Sequence, residues 1–333
     1  MRPSHHTRFH MTDASCVGEA RRHAALLGQY CGLDEVHAGR LAIIVTELGN
    51  NLVRHAQRGE LLISSHRDSS EVEIISIDRG PGIPDVARSM GDGYSTGGTP
   101  GTGLGAVKRL ASGFDLHSAV PDGTVIVARV GPAPVSGVAG SVCSAGISVP
   151  LTGELVCGDA WAVATDGHLA TLMMADGLGH GPDAAEASMA AVDVFRAHAM
   201  EAPSRLVATI HERLRSTRGA AVSVVRLDTA QSTVRACGAG NVTARLISGA
   251  GDRTIVMQHG TAGLQIRRPE EVTLAWPEHA LLVLHSDGIE TRWSAERLMP
   301  VLGRDPSLAA AILMRDHSRG RDDTSVAIAR RMS

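Results

Sequence analysis

Two glycine clusters pose the same chemical question. In ADGLGHGPDAAEAS, residues 175–188, glycines alternate just after Asp176, at the end of the apolar run HLATLMM. In GTGLG, residues 101–105, they lead into a segment with helical spacing. Such glycines either expose backbone N–H groups to a phosphate at a helix N-terminus, or bend the chain so that a carboxylate and a freed carbonyl hold a divalent cation. Further acids bear on the choice: Asp159 precedes a strand-like run, Asp287 follows LLVLHS, and Asp322 and Asp323 precede TSVAIAR. All of these positions fall at strand ends, where side chains can converge at one sheet edge. Two carboxylates roughly 4 Å apart repel by about 4 kcal/mol at an effective dielectric of about 20, unless protons or cations intervene. A pair of Mg²⁺ or Mn²⁺ ions, which prefer carboxylate, carbonyl and water oxygens, resolves the repulsion. Asp166-Gly167 reads as a plain hairpin turn.

In the first half the informative segment is LAIIVTELGNNLVRHA. Leu41, Ile44, Val45, Leu48 and Leu52 share one helical face, and Glu47, Asn51 and His55 recur at intervals of four along its edge. This is either the solvated border of an amphipathic helix, or a Glu that takes a hydroxyl proton beside an Asn that holds Mg²⁺. The strand-like EVEIISI then runs into DRGPGIP, residues 78–84, whose Asp stands before a Pro-Gly turn and can accept from an adenine amino group. The polar stretch GDGYSTGGTPGTGLG opens a helix, and Asp122-Gly123-Thr124 opens a final strand.

The elements that must position these residues fall into two groups. A length of 333 residues suggests about two domains. GPAPVSGVAG, residues 131–140, has the composition of a short linker. Before it the pattern predicts two helices, a strand pair, a glycine-rich segment, a helix and two closing strands. After it, strands are expected around WAVAT, HLATLMM, AVSVVRL, STVRACG, TARLIS, ALLVLHS and TSVAIAR, interrupted by helices near 182–199 and 203–215. The polar first 12 residues read as a flexible N-terminus.

Composition excludes several classes. Five scattered cysteines without CxxC spacing indicate neither a disulfide framework nor a zinc site. A net charge of −3 gives no nucleic-acid footprint. The lone lysine, Lys108, lies between Val107 and Arg109 in a helical pattern, so it fits neither a Walker A loop nor the strand lysine of an ordinary protein kinase. No apolar run approaches the roughly 18 residues of a membrane span, and the start lacks a signal-peptide core, so a cytoplasmic protein is expected.

Taken in order, ELGNN, DRGPGIP, GTGLG and DGT resemble the Bergerat-type (GHKL) ATP fold. The run DRGPGIPDVARSMGDGYSTGGTPGTGLGAVKRL is more specifically similar to the switch-protein serine kinases of the sigma-B regulatory (Rsb) system. No phosphoacceptor His helix precedes it, which argues against a sensor histidine kinase. The resemblance implies ATP with Mg²⁺, Glu47 as catalytic base, Asn51 as Mg²⁺ ligand, and Asp78 and Thr124 at adenine. It places Gly80 and Gly82 around the adenine pocket, and Gly101, Gly103 and Gly105 in a lid over the phosphates. In the second half, GDAW, ADGLGHGPDAAEAS, GAGN, SDGIE and RDDTSVAIA resemble, in order, the PP2C-type metal-dependent phosphatases of the sporulation phosphatase E and Rsb phosphatase X group.

That resemblance implies two Mn²⁺ or Mg²⁺ ions bridged by Asp176, with the Gly177 carbonyl, Asp287, Asp322 and Asp159 completing the set. The family motif uses the first residue of the Asp-Asp pair, which selects Asp322 over Asp323. His180 either assists the leaving group or has a supporting role at the surface. GDAWAV departs from the family in lacking an acidic or aromatic residue after the Trp position.

The expected architecture is therefore α+β: a Bergerat α/β sandwich over 13–130, then a PP2C-like αββα sandwich over 141–331. The implied function is a bifunctional kinase and phosphatase acting on a STAS-domain anti-sigma antagonist or stressosome-type protein in a partner-switching pathway, with a downstream phosphatase or cyclase as a further effector. The alternative is an ATP-gated binding protein in which only the phosphatase turns over. Neither nucleic acid nor membrane is expected as a partner, and no oligomeric state follows from the sequence.

Overall fold

The computed structural model describes residues 5–66, 70–90, 103–132 and 141–332. The chain divides into two units, His6–Gly137 and Val138–Ser333. Gly101, most of the 131–140 linker and the first four residues lie outside the described residues.

The first unit contains β1 (Thr7–His10), α1 (Ala14–Cys31), α2 (Glu35–His55), β2 (Glu60–His66), β3 (Glu71–Ile77), a one-turn α3 (Val86–Ser89), α4 (Gly103–Leu110), β4 (Gly113–Ala119) and β5 (Gly123–Val130). The strands form one antiparallel sheet in the order β1-β2-β3-β5-β4. Both long helices begin on aspartate caps: Asp13 accepts from Ser15 N at 2.8 Å, and Asp34 accepts from His37 N at 2.8 Å. The predicted stripe of α2 is buried, and it packs with α1 and α4 over Leu61, Ile63, Val72, Ile74, Ile126 and Ala128 of the sheet. One expectation is corrected. Within the N-terminus expected to be flexible, Thr7–His10 pairs with Glu60–Ile63 as an edge strand, because Phe9 and Met11 both bury their side chains in the core.

The second unit contains β6 (Val142–Val149), β7 (Asp159–Asp166), β8 (Leu169–Gly177), α5 (Pro182–His198), α6 (Pro203–Leu214), β9 (Ala220–Asp228), β10 (Thr233–Ala239), β11 (Thr243–Ser248), β12 (Gly251–Ile255), β13 (Gly260–Thr261), β14 (Gln265–Ile266), β15 (Val272–Ala275), β16 (Leu281–His285), α7 (Pro306–His317) and β17 (Thr324–Arg331). Two five-stranded antiparallel sheets, β15-β10-β9-β8-β7 and β12-β11-β16-β17-β6, bury their inner faces together. Leu172, Met174, Val225 and Leu227 of the first meet Leu246, Leu282, Leu284 and Ala327 of the second. The helices α5 and α6 cover the outer face of the first sheet through Phe195, Leu206, Ile210 and Leu214. The helix α7 packs against β6 and β17 on the other side. The layers are helix, sheet, sheet, helix, and the strand ends that carry the aspartates open on one edge of this sandwich.

Candidate functional site

The acidic centre is built by strand register. Asp159 opens β7 and is the antiparallel partner of Asp176 near the end of β8, so their side chains project to the same face. Asp159 is only 2% exposed. Burial, and next the neighbouring Asp176 charge, push its carboxyl well above the usual range, although the Ser286 and Ser325 hydroxyls hold it down in part. Asp176 is pushed up to about 7 by burial first, then by Asp287 and Asp322. Asp287 is raised by burial and by Asp322, while its Oδ2 accepts from Asn241 Nδ2 at 2.7 Å.

Four carboxylates are thus electrostatic neighbours at one edge. Among the described residues, however, no three His, Cys, Asp or Glu side chains are drawn together tightly enough to form a ready metal cage. The polar inventory points to a cation all the same. Asp159 Oδ2 and Asp176 Oδ2 are buried without any hydrogen-bond partner, and an unpaired buried acceptor is costly. Hydrated Mg²⁺ keeps several waters and needs only one or two direct carboxylates, so these orphaned oxygens fit it without a closed cage.

Glycines and a second aspartate hold the edge in shape. A side chain at Gly177 would collide with the Ala184 carbonyl in the first turns of α5, so only glycine lets the helix pack this close behind Asp176. Asp323 staples the approach: Oδ1 accepts from Leu151 N and Oδ2 from Gly158 N, both at 2.8 Å. Its two oxygens are spent on backbone. Asp322 Oδ1 accepts from Asp323 N at 2.9 Å, and the Asp322 charge acts on Asp176 and Asp287. His180 is half-exposed and pairs with Glu154 at 2.7 Å, and its charge reaches Asp323.

Sequence reasoning missed Asn241 and the support behind Asp287. The indole of Trp293 donates to His285 Nε2 at 3.2 Å, which leaves Nδ1 of the ring to donate to the Ser286 carbonyl at 2.9 Å. Burial lowers this histidine to about 4, so the ring is neutral. Ser286 Oγ in turn accepts from Ser325 N. The GAGN quartet drew notice as a motif, but nothing in its spacing said which partner its Asn would meet.

In the first unit, α2 carries Glu47 and Asn51, one turn apart and partly buried, on the border of the helix whose other face is core. Asp78 leaves β3 and turns back so that Oδ1 accepts from Gly80 N at 2.6 Å, while its own N–H donates to the Thr124 carbonyl at 2.9 Å. Thr124 is buried and its hydroxyl lies 2.9 Å from Ser118 Oγ, which accepts from Ile83 N at 2.7 Å. Gly82 takes a φ of 76°, and a Cβ there would lie 2.5 Å from the Ala119 carbonyl oxygen. The turn and the β4–β5 hairpin therefore meet backbone to backbone beside Asp78 and Thr124. Gly103 opens α4, which packs on α2 through Val107, and a Cβ at Gly103 would meet none of the described residues within 4 Å; Gly105 lies in its first turn.

This pairing of folds defines a kinase-like ATPase domain followed by a PP2C-type phosphatase domain. The chain belongs to the Stage II sporulation protein E (SpoIIE) family, whose model matches residues 165–332, and residues 12–130 match the histidine kinase-like ATPase domain. The first unit is similar to the serine/threonine-protein kinase RsbT of Bacillus subtilis (strain 168), with 36% identity over 128 residues, 35% of this chain and 96% of the relative. A second similarity is to the phosphoserine phosphatase RsbX of the same organism, with 26% identity over 140 residues, 41% of this chain and 69% of the relative. The crystal structure of RsbX in complex with magnesium shares the fold, with a TM-score of 0.52 and 20% identity, covering 57% of this chain and 96% of that one. Each unit thus has a relative in the Rsb system of Bacillus subtilis. No helix among the described residues is long and apolar enough to cross a membrane.

Proposed function

We infer that the second unit hydrolyses phosphoserine or phosphothreonine with two divalent cations, and that the first unit phosphorylates the same protein. The observation that carries the phosphatase reading is the facing pair Asp159 and Asp176, each with a buried oxygen lacking any partner. Asp176, the Gly177 carbonyl, Asp287 and Asp322 would hold the cations, with Asp159 directly or through water. When bound, Mg²⁺ or Mn²⁺ balances this charge, lowers the pKa of the attacking water and polarises the phosphoryl group. Asp323 keeps the β7 end in place, and Asn241 orients Asp287.

In the first unit Glu47 would take the substrate hydroxyl proton, and Asn51, one turn on, would hold the Mg²⁺ of ATP. Asp78 and Thr124 would receive adenine in a pocket shaped by Gly80 and Gly82. The N-terminus of α4 with Gly103 and Gly105, preceded by Gly101, would approach the phosphates. The substrate class is a STAS-type regulator, and the setting is a cytoplasmic partner switch that feeds a downstream phosphatase or cyclase.

The test is phosphate occupancy of a candidate STAS protein, followed by intact-mass spectrometry with ATP and Mn²⁺ present. Wild type should settle at intermediate occupancy while consuming ATP. Asp176→Asn should drive occupancy to completion, and Glu47→Ala should leave prephosphorylated regulator to be stripped. If Asp176→Asn accumulates no more phosphoprotein than wild type, the two units do not oppose each other on this substrate.

A further inference from the structure

Beside the acidic centre, on the outer face of the second sheet, lies a groove of about 640 Å³ lined by Thr243, Arg245, Thr254, Thr291, Arg292 and Trp293. None of these residues takes part in holding cations. Their placement nonetheless ties the groove to the reacting end of the molecule. Thr243 opens β11 two residues beyond Asn241, which is bonded to Asp287. Thr291 follows Asp287 by one short turn and accepts from Arg319 Nη2 at 2.8 Å. Arg319 is also anchored through its backbone, donating to the Gly288 carbonyl at 2.8 Å, and its charge reaches Asp287.

The wall of this groove is rigid. Arg245, 8% exposed, stacks 3.7 Å from the centre of the Trp293 ring, donates to the Trp293 carbonyl at 3.2 Å and forms a two-point pair with Asp252. Its charge is therefore spent. Thr254 stands opposite Arg245 across the β11–β12 ladder and offers a hydroxyl from an edge strand. Arg292 is exposed and makes no ion pair with any described residue. The acid nearest in sequence, Glu290, is engaged by His317 at 3.1 Å. A preformed hydroxyl-lined groove with free positive charge beside it fits an acidic, extended polypeptide: hydroxyls bond to main-chain groups, and arginine pairs with carboxylates in a fork geometry.

We propose that this groove seats the segment of the phosphoprotein substrate that flanks the phosphoserine, and that Arg292 selects segments carrying acidic residues there. The inference rests on the phosphatase reading above and adds a specificity site to it. Arg319, between groove and cations, guides the phosphoryl group inward as the flanking segment settles along β11 and β12.

The test uses two synthetic phosphoserine heptapeptides, one with glutamates on both sides of the phosphoserine and one with glutamines in their place, hydrolysed by the full chain with Mn²⁺. Wild type should favour the glutamate peptide by about tenfold in kcat/KM, the size of one good charge pair. Arg292→Glu should abolish or invert that ratio, and Arg292→Lys should restore most of it while tryptophan fluorescence reports an intact fold. Equal rates on both peptides by wild type, or a ratio that survives Arg292→Glu, overturns the groove assignment and leaves the phosphatase reading standing. Failure of wild type to hydrolyse either peptide, or p-nitrophenyl phosphate, overturns that reading and the groove with it.

Discussion

Replacing Asp176 with asparagine should make the metal-free protein more stable at pH 8 while removing its phosphatase activity. The carboxyl titrates near 7 rather than at 3.8, chiefly because burial disfavours its ionised form and secondly because Asp287 and Asp322 are close. At about 1.4 kcal/mol per pKa unit, the ionised group costs the fold up to about 4 kcal/mol. A raised acid binds more protons folded than unfolded, so stability is fully present below about pH 4 and falls as pH rises to about 7. The neutral amide removes that cost. The variant should gain about 2–4 kcal/mol over wild type at pH 8, and under about 1 kcal/mol at pH 4, close to the unfolded pKa, where little of the linkage cost has yet developed. All three tryptophans, Trp161, Trp276 and Trp293, lie in the second unit. Urea denaturation in EDTA followed by tryptophan fluorescence therefore reads this domain alone. Millimolar Mn²⁺ at pH 8 should recover the difference for wild type and much less for the variant. A variant less stable than wild type at pH 8, or an equal gain at both pH values, would refute the account of a strained, cation-requiring carboxylate.

Asp323→Ala strands the Leu151 and Gly158 N–H groups, so the same fluorescence midpoint should fall by the equivalent of about 2–4 kcal/mol, with weaker Mn²⁺ activation. Gly177→Ala drives a Cβ into the Ala184 carbonyl and must displace the start of α5; a loss of about 1–3 kcal/mol and a large drop in hydrolysis are expected, read by denaturation and phosphate release. In the first unit, Asp78→Asn should weaken ATP binding by calorimetry, and Asn51→Ala should abolish phosphoryl transfer, while hydrolysis by the second unit stays at its wild-type rate.

Both domain types were legible in the linear order of short motifs, because their chemistry needs particular residues at strand ends and helix starts. The stripe of α2 could be read directly: a helix buried on one side leaves a 3.6-residue period, and Leu41, Ile44, Val45, Leu48 and Leu52 are all buried as that period requires. The strands β8, β9 and β16 were equally plain, since buried sheets select apolar runs bounded by turns. The helix α7 left no such trace. Residues 306–314 are buried on all sides, so PSLAAAILM is apolar throughout and carries no period. The strand β1 was equally hidden, because a four-residue edge strand with only Phe9 buried looks like a polar tail.

Residue types and spacing named the aspartates without distinguishing their tasks; only the family resemblance set Asp322 before Asp323, and it gave Asp323 no task. Asp322 and Asp323 are adjacent and chemically identical, yet the charge of one acts on Asp176 and Asp287 while the other accepts from two distant backbone N–H groups. That division depends on where Leu151 and Gly158 arrive from more than 160 residues away, and no local pattern encodes it. The pairing of Asn241 with Asp287, and the chain from Trp293 through His285 to Ser286, are likewise products of β11 and β16 lying side by side. Residue type supplied the chemistry of the site; sheet register decided which groups face one another, because charge and hydrogen bonding act over a few ångströms of space whatever their separation along the chain.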